Sequence, residues 1–408
     1  MKKITATIIK FYLLIFIALF IIYSCKDDLP VEPEILEPGK IVSTSSSGFY
    51  GALFIDQFVK GISGSTPINV NFIYDVDAYK IVYKTYGPRG DLVNASGVLF
   101  LPKGKDNLSI VSLQHGTQTK RASVGSVSPL NASEGLIAAS LGYFAVVPDY
   151  LGLGESTMLH PYHHQKSSAS VVVDIIRAGR EFAQIKNIKL NGQVFLAGYS
   201  EGGYVTLAAH KEIEQNYKNE ITITASAPMA GAYDLNFTAR KIINDKIYNQ
   251  PSYLAFFMVA YNDIYGWNNL SSVFNSPYAE KLRSLFDGTK STSEISAQLT
   301  NDLTKLFNQN FINTYLNDDN SQLAKAFAEN SLINWKPISP TRLYHGNADE
   351  YVPYENATRA RDYFKSLGSD VELITINGGT HSSAALPSII GAMEWFEQIR
   401  IKKLLAVN

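Results

Sequence analysis

From residue 79 almost to the end of the chain, short runs rich in apolar and β-branched residues alternate with stretches of helical periodicity. That alternation admits little besides helices packed on a sheet. Strands are expected at 79–86, 95–101, 109–113, 144–147, 193–197, 221–226, 341–344 and 371–376. Several of them are apolar on both faces, as strands covered by helices on either side must be. Helices are expected at 133–141, 167–184, 201–217, 354–367 and 387–405. The fold class is therefore α/β, with a mainly parallel or mixed sheet. With 46% hydrophobic and 18% charged residues over 408 positions, the chain can bury a sizeable core.

Between residues 237 and 335 the texture changes. Strand alternation stops, Asn and aromatic residues accumulate, and helical patterns follow one another, one of them opened by a capping box at Ser291 and Glu294. This stretch is expected to be a helical insertion lying over the sheet. Its aromatics, among them Tyr253, Phe256, Phe257, Tyr261, Tyr265 and Trp267, suit either an apolar substrate cleft or the insertion's own core. For most of them the core is the expectation.

The N-terminus is expected to be a targeting segment. Lys2 and Lys3 precede an uninterrupted apolar stretch from Phe11 to Ile22, shorter than the ~20 residues a spanning helix needs, which favours a signal h-region. A retained anchor helix beginning at Ile4 is the alternative. Cys25, the only cysteine in the chain, closes that stretch, and Ile22-Tyr23-Ser24-Cys25 resembles the processing signal of bacterial lipoproteins, which implies acylation of Cys25. Lys26-Asp27-Asp28 is similar to the acidic export signal of surface-exposed lipoproteins in some Gram-negative bacteria. These features divide the chain into a signal peptide (1–24), a flexible acidic tether (25–47), a core first part (48–236), the insertion (237–335) and a core second part (336–408).

Balanced charge, 36 basic against 37 acidic residues with no dense basic run, gives no footprint for a polyanion, so nucleic acid is not an expected partner. His160, His163 and His164 cluster without a cysteine or an acidic ligand pattern, so no metal site is expected.

The residues that carry chemistry begin at Gly198-Tyr199-Ser200-Glu201-Gly202, which follows an apolar strand and opens a helix. Glycines at 198 and 202 permit a turn tight enough to lift the Ser200 hydroxyl above the sheet at a helix N-terminus. A serine hydroxyl needs a base and an acid to orient that base. His381, in Gly378-Gly379-Thr380-His381 after the last strand, is placed for the first role. His345 and His115, each ending a strand before a glycine, suit structural or oxyanion-loop roles, and His210 is expected to pack within its helix. Asp349, after the strand 341–344, is expected to be the acid, with Glu350 and Asp234 as rivals. Asp149 is read as structural.

The order Ser200, Asp349, His381 resembles that of the α/β-hydrolase superfamily. Within it, Leu113-Gln114-His115-Gly116-Thr117, Pro148-Asp149-Tyr150-Leu151-Gly152-Leu153-Gly154, His160-Pro161-Tyr162 and the serine motif resemble secreted lipases and esterases with a large helical lid. The resemblance covers roughly residues 79–405. It implies an oxyanion hole formed by the backbone N–H groups of Thr117 and Glu201, and hydrolysis of a small-molecule or glycan-linked ester with no cofactor. A prolyl-peptidase-like enzyme and an inactive surface-binding lipoprotein remain alternatives.

Overall fold

The computed structural model describes residues 37–63 and 70–407, so the signal segment, Cys25 and the start of the tether lie outside the described residues. Nine strands form one sheet in the order β1-β2-β3-β5-β4-β6-β7-β8-β9. They are β1 (Ile41–Tyr50), β2 (Val76–Tyr86), β3 (Leu92–Pro102), β4 (Leu108–Gln114), β5 (Phe144–Pro148), β6 (Leu190–Tyr199), β7 (Ile223–Met229), β8 (Thr341–Gly346) and β9 (Val371–Ile376). Pairings from β5 through β9 are parallel, whereas β1, β2 and β3 run as an antiparallel meander joined to β5.

The two central strands β4 and β5 are buried along their whole length. Helices cover them on both sides. Gln165–Ile185 and Glu201–Glu212 pack with one apolar cluster, while Ser133–Ser140 and the long C-terminal helix Ala385–Val407 contribute to a second on the opposite face. This is the layered α/β arrangement that the alternation of runs demands.

One boundary needs correction. The tether was expected to reach residue 47, but Ile41–Tyr50 is an edge strand paired antiparallel to β2. Its Ser/Thr run has no apolar face because an outer strand can expose its side chains while its backbone is paired on one edge. The helix Ala52–Ile62 that follows was likewise not anticipated.

Between β7 and β8 the chain is helical from Leu235 to Asn330, beginning with Leu235–Asp245 and Pro251–Ile264 and ending with Gln322–Asn330. The Ser291 capping box is present at the helix Thr292–Ser296. Residues 331–335, assigned to the insertion by sequence, turn back to the core, and Trp335 packs edge-on against His210 and Phe364. The insertion has a closed neck: the Leu332 N–H donates to the Tyr233 carbonyl at 2.7 Å, and the Leu235 N–H to Ser331 Oγ at 3.1 Å.

Candidate active site

Ser200 lies between β6 and the helix Glu201–Glu212 with φ 61° and ψ −120°, a conformation that a residue with a side chain rarely adopts. The turn is wedged between neighbouring strand ends. A Cβ on Gly202 would fall 2.0 Å from the Gln114 carbonyl oxygen, one on Gly198 2.5 Å from the Gly202 oxygen, and one on Gly203 2.1 Å from the Met229 oxygen. Three glycines are therefore required by backbone packing on both sides. Gly202→Ala should lower unfolding stability by ~3 kcal/mol, the upper end of what overpacking usually costs, since backbone rather than a flexible side chain must yield; urea denaturation followed by circular dichroism measures it.

The serine hydroxyl meets His381 Nε2 at 2.8 Å, and His381 Nδ1 meets Asp349 Oδ2 at 2.7 Å. Three residues far apart in sequence thus form one hydrogen-bonded line at the C-terminal edge of the sheet. The other oxygen of Asp349 accepts from the N–H groups of Tyr351 at 2.9 Å and Val352 at 2.8 Å, which fixes the carboxylate in its turn. Burial would raise the Asp349 pKa, but hydrogen bonds from His345 and His381 outweigh it and hold the carboxyl well below its usual range.

The rivals sit elsewhere. Asp234 caps the helix Leu235–Asp245 and pairs with Arg359 at 2.9 Å. Glu350 touches His381 only through its backbone, accepting its N–H at 3.0 Å. His210 pairs with Glu214 inside the core, and Asp149 is buried with Ser96 Oγ and the Ser126 N–H as partners.

Gly116 brings the loop after β4 against the nucleophile: a Cβ there would meet the Tyr199 oxygen at 3.5 Å and Ser200 Cβ at 3.7 Å. Among the described residues, the N–H groups of Thr117 and Glu201 donate to nothing, and Thr117 Oγ1 lies 3.0 Å from the Tyr162 hydroxyl. The three clustered histidines take different partners. His160 faces Glu201, His164 caps the helix Gln165–Ile185, and His163 lines the cleft beside Ser200. Among the described residues no group of three or more His, Cys, Asp or Glu side chains is arranged to hold a metal.

Two contacts of the line were not anticipated: Tyr199 was given no partner, and His345 only a structural or oxyanion-loop role. Tyr199 donates its hydroxyl to the His381 carbonyl at 2.7 Å, pinning the histidine loop. His345, fully buried, brings Nε2 to 3.1 Å from Asp349 Oδ2 and 3.0 Å from the Val352 carbonyl. A carbonyl can only accept, so this nitrogen carries a proton and Oδ2 receives donors from two imidazoles. Its position four residues before Asp349 at a strand end was the available signal.

A mostly apolar cleft opens on Ser200, lined from the insertion by Ile242, Tyr248, Tyr253, Leu254, Phe257 and Phe327 and from the core by Tyr351 and Val352. Of the aromatics singled out by sequence, Tyr253 and Phe257 face this cleft. Tyr261, Tyr265 and Trp267 pack on one another within the insertion, and Phe256 stacks on Phe286.

Residues 127–404, more than half of the chain, match the family model of secretory lipases. The chain belongs to the secretory lipase family. It is 25% identical over 323 residues to a secreted triacylglycerol lipase, LIP4, of Malassezia furfur, a match covering 73% of this chain and 58% of that protein; it thus spans little more than half of that relative's length. Among solved structures, the rice cell wall degrading esterase LipA of Xanthomonas oryzae superposes with a TM-score of 0.79 at 27% identity, covering 89% of this chain and 97% of that one. A Legionella pneumophila protein superposes with a TM-score of 0.83 at 27% identity, over 88% and 98%. The secretory lipase chain described here thus has the α/β-hydrolase architecture with its helical insertion in place.

Proposed function

We propose that the protein is an exported carboxylic ester hydrolase using Ser200 as nucleophile, His381 as base and Asp349 as the acid that orients it. The observation that carries this reading is the unbroken line Asp349 Oδ2, His381 Nδ1, His381 Nε2, Ser200 Oγ, with spacings of 2.7 and 2.8 Å. As Ser200 Oγ attacks the ester carbonyl, His381 Nε2 takes its proton, and Asp349 stabilises the resulting imidazolium. The tetrahedral oxyanion is received by the Thr117 and Glu201 N–H groups, the second of them at the start of a helix whose dipole favours negative charge. His381 then returns the proton to the departing alcohol. Water, activated by the same imidazole, releases the acid from the acyl-enzyme. Each oxyanion donor is worth ~2.7–4 kcal/mol of barrier.

The apolar cleft suits an acyl chain, and the two similar proteins, a triacylglycerol lipase and a cell wall degrading esterase, agree with ester chemistry. Export through the N-terminal segment, with a lipid on Cys25 as membrane anchor, completes the proposal. The deciding assay compares p-nitrophenyl esters of graded length with chromogenic peptides, alongside a fluorophosphonate probe. Ester turnover with Ser200 labelling is expected; amide cleavage outpacing ester cleavage would overturn the esterase reading.

His345 enters as a positioning residue. His345→Leu removes one of the donors that hold Asp349 Oδ2 and should lower kcat about tenfold with KM little changed. His345→Gln, whose side-chain amide restores a donor near Nε2, should recover most of it. Steady-state kinetics on one ester measures both.

A further inference from the structure

Two residues that line the cleft over Ser200 each carry a buried polar atom that nothing in the catalytic line uses. Glu201 is fully buried, and its Oε1 meets His160 Nε2 at 2.6 Å. His160 Nδ1 lies 2.7 Å from the Leu151 carbonyl, which can only accept, so that nitrogen is protonated and one further proton is shared between imidazole and carboxylate. Burial would raise the Glu201 pKa, but attraction to and hydrogen bonding from His160 prevail and lower it. Glu201 Oε2 has no partner among the described residues, and neither has His163 Nδ1, although both atoms are buried. Both residues line the cleft together with Ser200.

His163 is held where it is at a cost. Its φ of 51° is left-handed, a state worth ~1–3 kcal/mol of strain for a residue with a side chain. Tyr204 and Tyr261 both donate their hydroxyls to its carbonyl, at 2.8 and 3.0 Å, and the rings of Tyr162 and Phe257 pack on its imidazole. Burial pushes that imidazole down to about 4, so it is neutral near pH 7. Buried polar groups left unpaired are rare. Two of them, on residues that line one apolar cleft beside Ser200, point to a ligand group.

The chemistry of that group follows from the pair. A carboxylate and one imidazole are too few for a metal. The Glu201 charge is already balanced by the proton it shares with His160, so a cation would lose its hydration in an aromatic cleft for little return. A hydroxyl is neutral, donates to a carboxylate oxygen, and can also engage an imidazole nitrogen in either tautomer. The apolar lining suits the acyl part of the substrate, which stays on Ser200 after the alcohol departs. We propose that Glu201 Oε2 and His163 Nδ1 form a subsite for a hydroxyl group on the acyl chain, making hydroxyacyl esters the preferred substrates. This rests on the ester hydrolase reading.

The test measures kcat/KM of the full chain for the 4-nitrophenyl esters of hexanoic, 3-hydroxyhexanoic and 6-hydroxyhexanoic acids, then repeats it with His163→Phe and with Glu201→Gln. One hydroxylated ester should outrun hexanoate about tenfold in the wild type, and within each variant that ratio should shrink toward one whatever the absolute rates. Indifference to both hydroxyls in an active enzyme, as a structural water on these atoms would produce, overturns the subsite, and so does a preference that survives both substitutions. Absence of turnover on all three esters together with absence of Ser200 labelling sinks the hydrolase reading instead, and the subsite with it.

Discussion

Ser200→Ala is expected to lower kcat on p-nitrophenyl esters by ~10⁴ to 10⁶ and to abolish fluorophosphonate labelling, while the midpoint of urea unfolding stays close to that of the parent. The size follows from the chemistry: without Oγ no acyl-enzyme forms, and what remains is water attacking a carbonyl held against the Thr117 and Glu201 N–H groups. The near-constancy of stability follows from the backbone. Alanine keeps the β-carbon, so the strain at φ 61° is the same in both proteins, and only one exchangeable hydrogen bond to His381 is lost. Kinetics and denaturation on the same preparation separate a chemical defect from a folding one.

Asp349→Asn should cost nearly as much, a fall in kcat of ~10⁴, for a reason visible in the hydrogen bonds. Oδ1 accepts two backbone N–H groups, so an asparagine must place its carbonyl oxygen there and turn its NH₂ toward the histidines. His381 Nδ1 would then have to accept, which moves the ring proton to Nε2, the atom that must receive one from Ser200. The same geometry fixes the sign of the pH response. With its folded pKa lowered, Asp349 contributes stability that is present above the ordinary carboxylate value of ~4 and lost as pH falls toward the folded value. Asp349 therefore stays ionised throughout the assay range and adds no ionisation of its own to the acid limb of the activity profile. A log kcat/KM profile between pH 4.5 and 8 measures this; an acid limb as steep as two would mean that the carboxylate titrates in that range after all.

What could be foreseen in the sequence and what could not divides along physical lines. Ser200 was accessible because its turn needs glycines at fixed offsets between a strand and a helix, a demand written within a few residues. His381 and Asp349 were accessible because loops at strand ends are few. The partners of these groups were not, since the contacts of Tyr199 with the His381 carbonyl and of Glu201 with His160 join segments whose proximity depends on strand order. That order inserts β5 between β3 and β4, a crossing no local pattern announces. The edge strand β1 escaped for the opposite reason, because a strand with one free margin and exposed side chains bears no apolar signature.

The neck that joins Tyr233 and Leu235 to Ser331 and Leu332 makes the helical segment a graftable cassette. Its two ends already meet, so replacing or resizing what lies between them adds little closure entropy and leaves the strand that precedes Asp349 in register with its neighbours. The rim that holds Ser200, Asp349 and His381 and the wall that faces it can therefore be altered independently of one another.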